Sequence, residues 1–143
     1  MSTLDDVKGA SAAFYKALNS MANGDSAPMQ DVWIKGDAVT AQHPIGGRDS
    51  GFESVMASFS KVAEIAGGGD IRLEEQSIVT GADMAVETGV EAGTVMLTGD
   101  EARINQRVTN VYQRQGGTWK LAHHHTDLST DLLKILERLS NVA

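Results

Sequence analysis

The sequence contains no cysteine. Disulfides and thiolate metal sites are therefore excluded, and the redox compartment stays open. Proline is scarce, with 2 in 143 residues, and aromatic side chains make up only 5%. No apolar run approaches the length that spans a bilayer. The first ten residues lack the basic patch and apolar stretch of a secretory leader. Positive charge is also in short supply. The chain has 12 Lys and Arg against 19 Asp and Glu, a formal net charge of −7. That balance sets nucleic acid and anionic membranes aside as partners. A cytoplasmic protein is the expectation, with a single domain over residues 1–143. A chain of this length can bury a real core without covalent staples.

What the chain does have is clear periodicity. Thr3 and Asp6 have capping-box spacing. After them Leu4, Val7, Ser11, Phe14, Leu18 and Met21 recur at helical intervals, and Gly24 suits the end of that helix. Ser50 and Glu53 repeat the capping pattern before Phe52, Val55, Phe59, Val62 and Ala66. The triplet Gly67-Gly68-Gly69 predicts a flexible turn after this second helix. Between the helices, Asp37 to His43 reads as a short strand ended by Pro44. From Ile71 onward the period falls to two. Turn signals at Gly81-Ala82-Asp83, Gly99-Asp100 and Gly116-Gly117 separate Ile71–Thr80, Met84–Leu97, Ala102–Arg114 and Trp119–Thr126. Leu128, Leu132, Ile135, Leu136 and Leu139 then suit a C-terminal helix. The sum is an α+β domain with helices on one face of an antiparallel meander. A twisted sheet curling over two helices leaves a wedge between them, a natural place for a small molecule.

Chemistry-bearing residues are few. Of 4 histidines, three are consecutive: His123, His124 and His125. On a regular strand His123 and His125 share a face with Trp119 and Leu121, and His124 shares the other with Lys120 and Ala122. Two imidazoles on one strand face can hold a metal, but they need a third ligand, for which His43, Glu87 and Glu91 are the candidates. A histidine and tryptophan face also suits a subunit interface, and no metal site is expected. The loop Gly46-Gly47-Arg48-Asp49-Ser50-Gly51 lacks the Gly-Lys-Ser/Thr ending of a phosphate loop.

Four stretches together resemble a known family: "FYKALN" at 14–19 with Gly24-Asp25 after it, Val32-Trp33, "HPIGGRDSGFESV" at 43–55, and "RVTNVYQRQGGTWKLAHHHTD" at 107–127. Their order is similar to that of the nuclear-transport-factor-2-like superfamily, in its SnoaL-like branch, over about residues 4 to 128. That superfamily includes ketosteroid isomerase, polyketide cyclases and the association domain of calcium/calmodulin-dependent protein kinase II. The resemblance implies a cystatin-like cone, a curved sheet wrapped around N-terminal helices with a C-terminal helix. It also implies homodimers or larger rings.

The resemblance further implies that His43, before Pro44, stands where ketosteroid isomerase carries an aspartate that serves as general base. Imidazole can do that work near neutral pH, or His43 can simply cap a strand end. The isomerase's oxyanion-binding acid has no counterpart at Val108-Thr109-Asn110, and Tyr15 falls out of step with its tyrosine. Both departures argue against steroid isomerisation. Association domains carry a pocket arginine where Asn110 falls, so the resemblance turns Val108, Asn110 and Tyr112 inward. Arg107 would then face a partner subunit near Glu87 or Glu91. One bulge would reverse that phase and make Arg107 an anchor for a ligand carboxylate. Trp33, Arg48, Phe59 and His124 complete the expected ligand-contacting set, with Trp33 as a lid beside the first helix and Arg48 gating the pocket or sitting in water. The expected function is binding of a small, partly apolar molecule, with cofactor-free acid–base chemistry of isomerase or cyclase type at His43. The alternative is a non-catalytic association module whose cavity is plugged by Trp33, Phe59 and Tyr112.

Overall fold

A computed structural model describes residues 2–142. The first helix, α1 (Thr3–Ala22), is capped by Ser2, whose side chain accepts from the Asp5 N–H. Its buried face includes Val7, Phe14, Tyr15, Leu18 and Met21. Burying each large apolar side chain of this kind contributes about 1.5–3 kcal/mol. After a short 3-10 turn at Ala27–Asp31 come two short strands, β1 (Thr40–Gln42) and β2 (Arg48–Ser50). They are followed by α2 (Phe52–Ile65), which buries Val55, Phe59 and Ala63. Its N-cap is Gly51, at φ 95°, without a side-chain cap; Ser50 does not fill that role because it is still paired in β2.

Four long strands follow: β3 (Ala66–Thr80), β4 (Met84–Leu97), β5 (Asp100–Gln115) and β6 (Thr118–Thr126). With β1 and β2 they form one sheet in the order β2-β1-β6-β5-β4-β3. All neighbours are antiparallel except β1 and β6, which run parallel. The last helix, α3 (Thr130–Val142), closes the chain. This is the curved-sheet α+β architecture expected, with helices packed on its inner face.

The glycine triplet is not a turn. Gly67, Gly68 and Gly69 belong to β3, where the ladder shifts register between Ala66 and Gly69. A Cβ on Gly69 would lie 2.7 Å from the Thr94 carbonyl oxygen and 3.2 Å from the Ala22 Cβ. Glycine is used there because α1 and β4 both press on the strand. Asn19 fixes the same joint: its side chain bonds both the N–H (2.7 Å) and the carbonyl (2.9 Å) of Ile71, so the helix docks like an extra strand.

Two bulges steer the inner face. In β3, Glu75 (φ 55°) and Gln76 lie within a shift between Glu74↔Val90 and Ser77↔Thr88. In β6, Val111 opposes His123 but Tyr112 opposes Leu121, which leaves Ala122 without a partner. That extra residue flips the phase. Trp119, Leu121 and His124 are therefore buried, while His125 is exposed and His123 half-buried. The shared face expected for Trp119, Leu121, His123 and His125 does not exist.

Candidate active site

Within the cone, Leu18 and Met21 of α1 and Phe59 and Val62 of α2 face Ile71, Val95 and Ile104 of the sheet across a cavity of about 80 Å³. Leu132 and Leu136 of α3 roof it. The helix is tied there by the Ser129 N–H to the Pro44 carbonyl (2.8 Å) and the Arg103 N–H to Asp131 (3.0 Å). Polar groups break the apolar wall at few places, chiefly His43, Ser58, Glu91, Gln106 and His124.

His43 owes its place to the turn between β1 and β2. The turn brings Asp49 back beside it, and His43 Nε2 lies 2.8 Å from Asp49 Oδ2. Ser58 also donates to Asp49 Oδ2, and Ser54 donates to Oδ1 at 3.2 Å, both from the first turns of α2. Partial burial alone would raise the Asp49 pKa. The bonds from Ser58 and His43, with the His43 charge, outweigh it and hold the group below its ordinary value. An ionised Asp49 fixes the imidazole tautomer, with the proton on Nε2 and Nδ1 left as acceptor. The ring packs edge-on against Phe59 at 5.4 Å. An oriented histidine with a half-buried carboxylate behind it is the arrangement of a general base.

Across the cavity stands Glu91, 2% exposed. Tyr15 donates to its Oε2 (2.9 Å) and Gln106 Nε2 to its Oε1 (2.8 Å). Burial pushes its carboxyl up to about 7, against the two hydrogen bonds, and the charge of Glu87 adds to the rise. Behind it a chain of hydrogen bonds runs into the core. Asn110 Nδ2 donates to the Tyr15 hydroxyl (3.0 Å) and to Glu87 Oε1 (3.0 Å). Tyr112 also donates to Glu87 Oε1, at 2.8 Å. Gln76 reaches Glu87 Oε2 at 2.8 Å from the β3 bulge. Burial raises the phenols of Tyr15 and Tyr112, aided by Glu91 and Glu87 respectively, so both stay protonated donors. His124 Nδ1 sits 2.6 Å from Asn110 Oδ1. Burial, with the charges of its neighbouring histidines, lowers His124 to about 3 and keeps it neutral.

Of the residues singled out in the sequence, His43, Phe59 and His124 meet on the cavity wall. Trp33, Asn110 and Tyr112 are fully buried behind it. The inward phase of Val108, Asn110 and Tyr112 puts Arg107 outside, where it pairs with Asp127 at 2.8 Å. Arg107 is not beside Glu87 or Glu91, because those carboxylates point into the cone. Arg48 is exposed and bonds Gln42 at 2.7 Å. Among the described residues no three histidine or acidic side chains converge as a metal site. Asp49, Gln106 and the bonding role of Tyr15 escaped sequence reasoning. Glu91 had a signal, since with Glu87 it keeps step with Ala85, Val95 and Leu97 along the inner face of the strand.

A SnoaL-like domain model matches residues 7–128, and the chain belongs to that family. No protein of curated function matches it. Among solved structures, one from Streptomyces avermitilis, provisionally assigned as a dehydratase of the NTF2-like family, is 26% identical with a TM-score of 0.76, over 87% of this chain and 94% of that one. A provisionally assigned calcium/calmodulin-dependent protein kinase type II association domain from Thiobacillus denitrificans is 24% identical with a TM-score of 0.70, over 85% and 93%. A cystatin-like-fold protein from Caulobacter vibrioides is 14% identical with a TM-score of 0.70, over 96% and 97%. Among the described residues no helix is long and apolar enough to cross a membrane.

Proposed function

We propose that this chain is one SnoaL-like domain from end to end. It binds a small, largely apolar molecule in the cone and moves a proton on it with His43 as base. The observation that carries this reading is the His43–Asp49 pair on the wall of an apolar cavity that also exposes Glu91 and His124. Asp49 orients the ring and steadies the imidazolium once the proton has moved. Such proton transfer draws on no cofactor. The structural relative assigned as a dehydratase supports the class of chemistry, since dehydrations, like isomerisations, run on positioned acids and bases. The net charge of −7 supports a partner that is neither nucleic acid nor an anionic membrane.

The test has two stages. Methyl-labelled protein is titrated with small neutral cyclic and branched compounds. Shifts confined to Ile45, Ile71, Ile104 and Leu132 are expected, and no shift with any compound ends the reading. Exchange of a bound probe's acidic C–H in D2O is then followed. His43→Ala should abolish it and Asp49→Asn should slow it by roughly ten- to a thousandfold. Exchange that survives His43→Ala moves the base elsewhere.

A homodimer or larger assembly accompanies this reading, built on the outer face of the sheet. One cross-strand row there reads Thr40, His123, Val111, Val86 and Val79. Val79 is 71% exposed, Val86 38% and neighbouring Met84 48%. The association-domain relative supports the same use of the fold. Light scattering at micromolar concentration should give at least twice the monomer mass; a clean monomer excludes it.

A further inference from the structure

Resting on the reading of the cavity as a ligand site, we propose that it selects a neutral molecule bearing a hydroxyl group, which donates to Gln106 Oε1, and that it rejects carboxylates.

Gln106 is 5% exposed and lines the cavity. Its Nε2 is used on Glu91, at 2.8 Å, while its Oε1 is buried without any partner. The other buried side-chain atoms in that state are Trp33 Nε1 and Thr126 Oγ1, neither on the cavity wall. An acceptor stranded in this way is destabilising, and a donor from a ligand would recover the loss. Once Glu91 is ionised, above about pH 7, turning the amide over would set its oxygen against a carboxylate oxygen, so the acceptor is the end that stays free.

The rest of the polar wall has the same character. Asn110 uses its N–H groups on Tyr15 and Glu87, so its oxygen receives the His124 Nδ1–H. That leaves His124 Nε2 as a lone pair. His43 gives its Nε2–H to Asp49 and keeps a lone pair at Nδ1. Tyr15 and Ser58 donate their hydroxyl protons to Glu91 and Asp49. With Glu91 ionised, the wall therefore offers acceptors and has its donors already committed. It also contains no lysine or arginine. Arg48 and Arg107, the two cations that could have received a carboxylate, bond Gln42 and Asp127 outside. An anion entering this cavity would meet Glu91 with nothing to offset its lost hydration.

The test is run at about pH 8.5, where Glu91 is ionised, with four probes of one small skeleton: cyclobutanol, fluorocyclobutane, cyclobutanone and cyclobutanecarboxylate. Dissociation constants come from the cavity methyl shifts. A small ring is chosen because the cavity is below the roughly 150 Å³ that accommodates benzene in an engineered protein. Cyclobutanol should bind about tenfold tighter than the fluoride and the ketone, which lack a donor, and the carboxylate should not bind. In Gln106→Leu the alcohol should lose its advantage over the fluoride. If the fluoride or the ketone binds as well as the alcohol to the unaltered protein, the cavity is a ligand site but the hydroxyl subsite is wrong. Tighter binding of the carboxylate overturns the proposal outright. If none of the four binds, the ligand-site reading fails and this inference falls with it. The comparison on the unaltered protein decides the matter even if Gln106→Leu fails to fold.

Discussion

Glu87 and Glu91 stand on the same face of β4, both essentially inaccessible to solvent, and are put to different use. Glu87 lies where the cone is filled. Both its oxygens are bonded, by Asn110 and Tyr112 on one and Gln76 on the other, and it does not line the cone's cavity. Glu91 lies where the cone is open. It has one donor per oxygen, borders the cavity and holds its proton up to about 7. Along one strand the inner face thus passes from a carboxylate that organises the core to one that can exchange protons with a ligand. The packing around each group, more than its residue type, sets the difference.

The largest effect that would break this contrast is on stability. Glu87→Ala removes the acceptor from two buried donors, Asn110 and Tyr112, and from Gln76 at the bulge, and should cost about 3–5 kcal/mol in urea unfolding. Glu91→Gln keeps a partner for Tyr15 and should cost much less. Equal losses would mean that both ends of the strand are merely structural.

A pH series sharpens the same contrast. Folded Glu91 keeps its proton to about 7, while the unfolded chain releases it near 4.5. The native state then holds the extra proton, so this contribution falls as pH rises through that window. His124 has the opposite sign. It is neutral in the fold down to about 3 but protonates near 6.5 when unfolded, so its contribution is lost as pH falls from 6.5 towards 3. His123, also lowered by burial and by His125, adds to the His124 trend. Between 4.5 and 6.5 the two slopes oppose each other, and the stability of the unaltered protein should be nearly flat. Glu91→Gln should make stability rise with pH, by at most about 1.4 kcal/mol per unit, and His124→Asn should make it fall. Identical slopes in all three proteins would remove the assignment.

The smallest effect belongs outside the cone. Arg107 is 84% exposed in its pair with Asp127. Arg107→Ala should leave the melting temperature and the probe affinities unchanged within error. Weaker probe binding would bring Arg107 back into the site.

Much of the fold could be read from period alone. The meander and the two amphipathic helices follow from the periods that their residues keep, whereas the inward phase of Val108, Asn110 and Tyr112 comes from the family resemblance, alternation alone leaving it open to one bulge. What could not be read is where the alternation breaks. Nothing marks Ala122 as the residue left unpaired, yet it decides which histidine enters the cone. Nor do Glu75 and Gln76 announce the bulge that carries Gln76 to Glu87. His43 stood out because the resemblance sets it, before Pro44, where ketosteroid isomerase carries its general base. Asp49 did not, because six residues separate it from His43 and only the folded-back turn joins them. The glycine triplet misled for a related reason. Glycine marks flexible turns and crowded strands alike, and only the neighbours Ala22 and Thr94 tell the two apart.

The parallel pairing of β1 with β6 has a consequence for how the molecule is made. β1 bonds only β2 and β6, and β6 is the last strand of the chain. During synthesis, the segment carrying His43 leaves the ribosome long before the strand that holds it in place. It must wait, unpaired apart from its own hairpin, until Thr126 has emerged. The meander from β3 to β6 can zip up through neighbouring turns, whereas the wall that bears the base closes through a contact between residues far apart in the chain, the slowest kind to form. The cavity is thus among the last parts of the molecule to exist, and a chain stalled before Thr126 has the first two helices and most of the sheet but no place for His43 and no α3 to roof it.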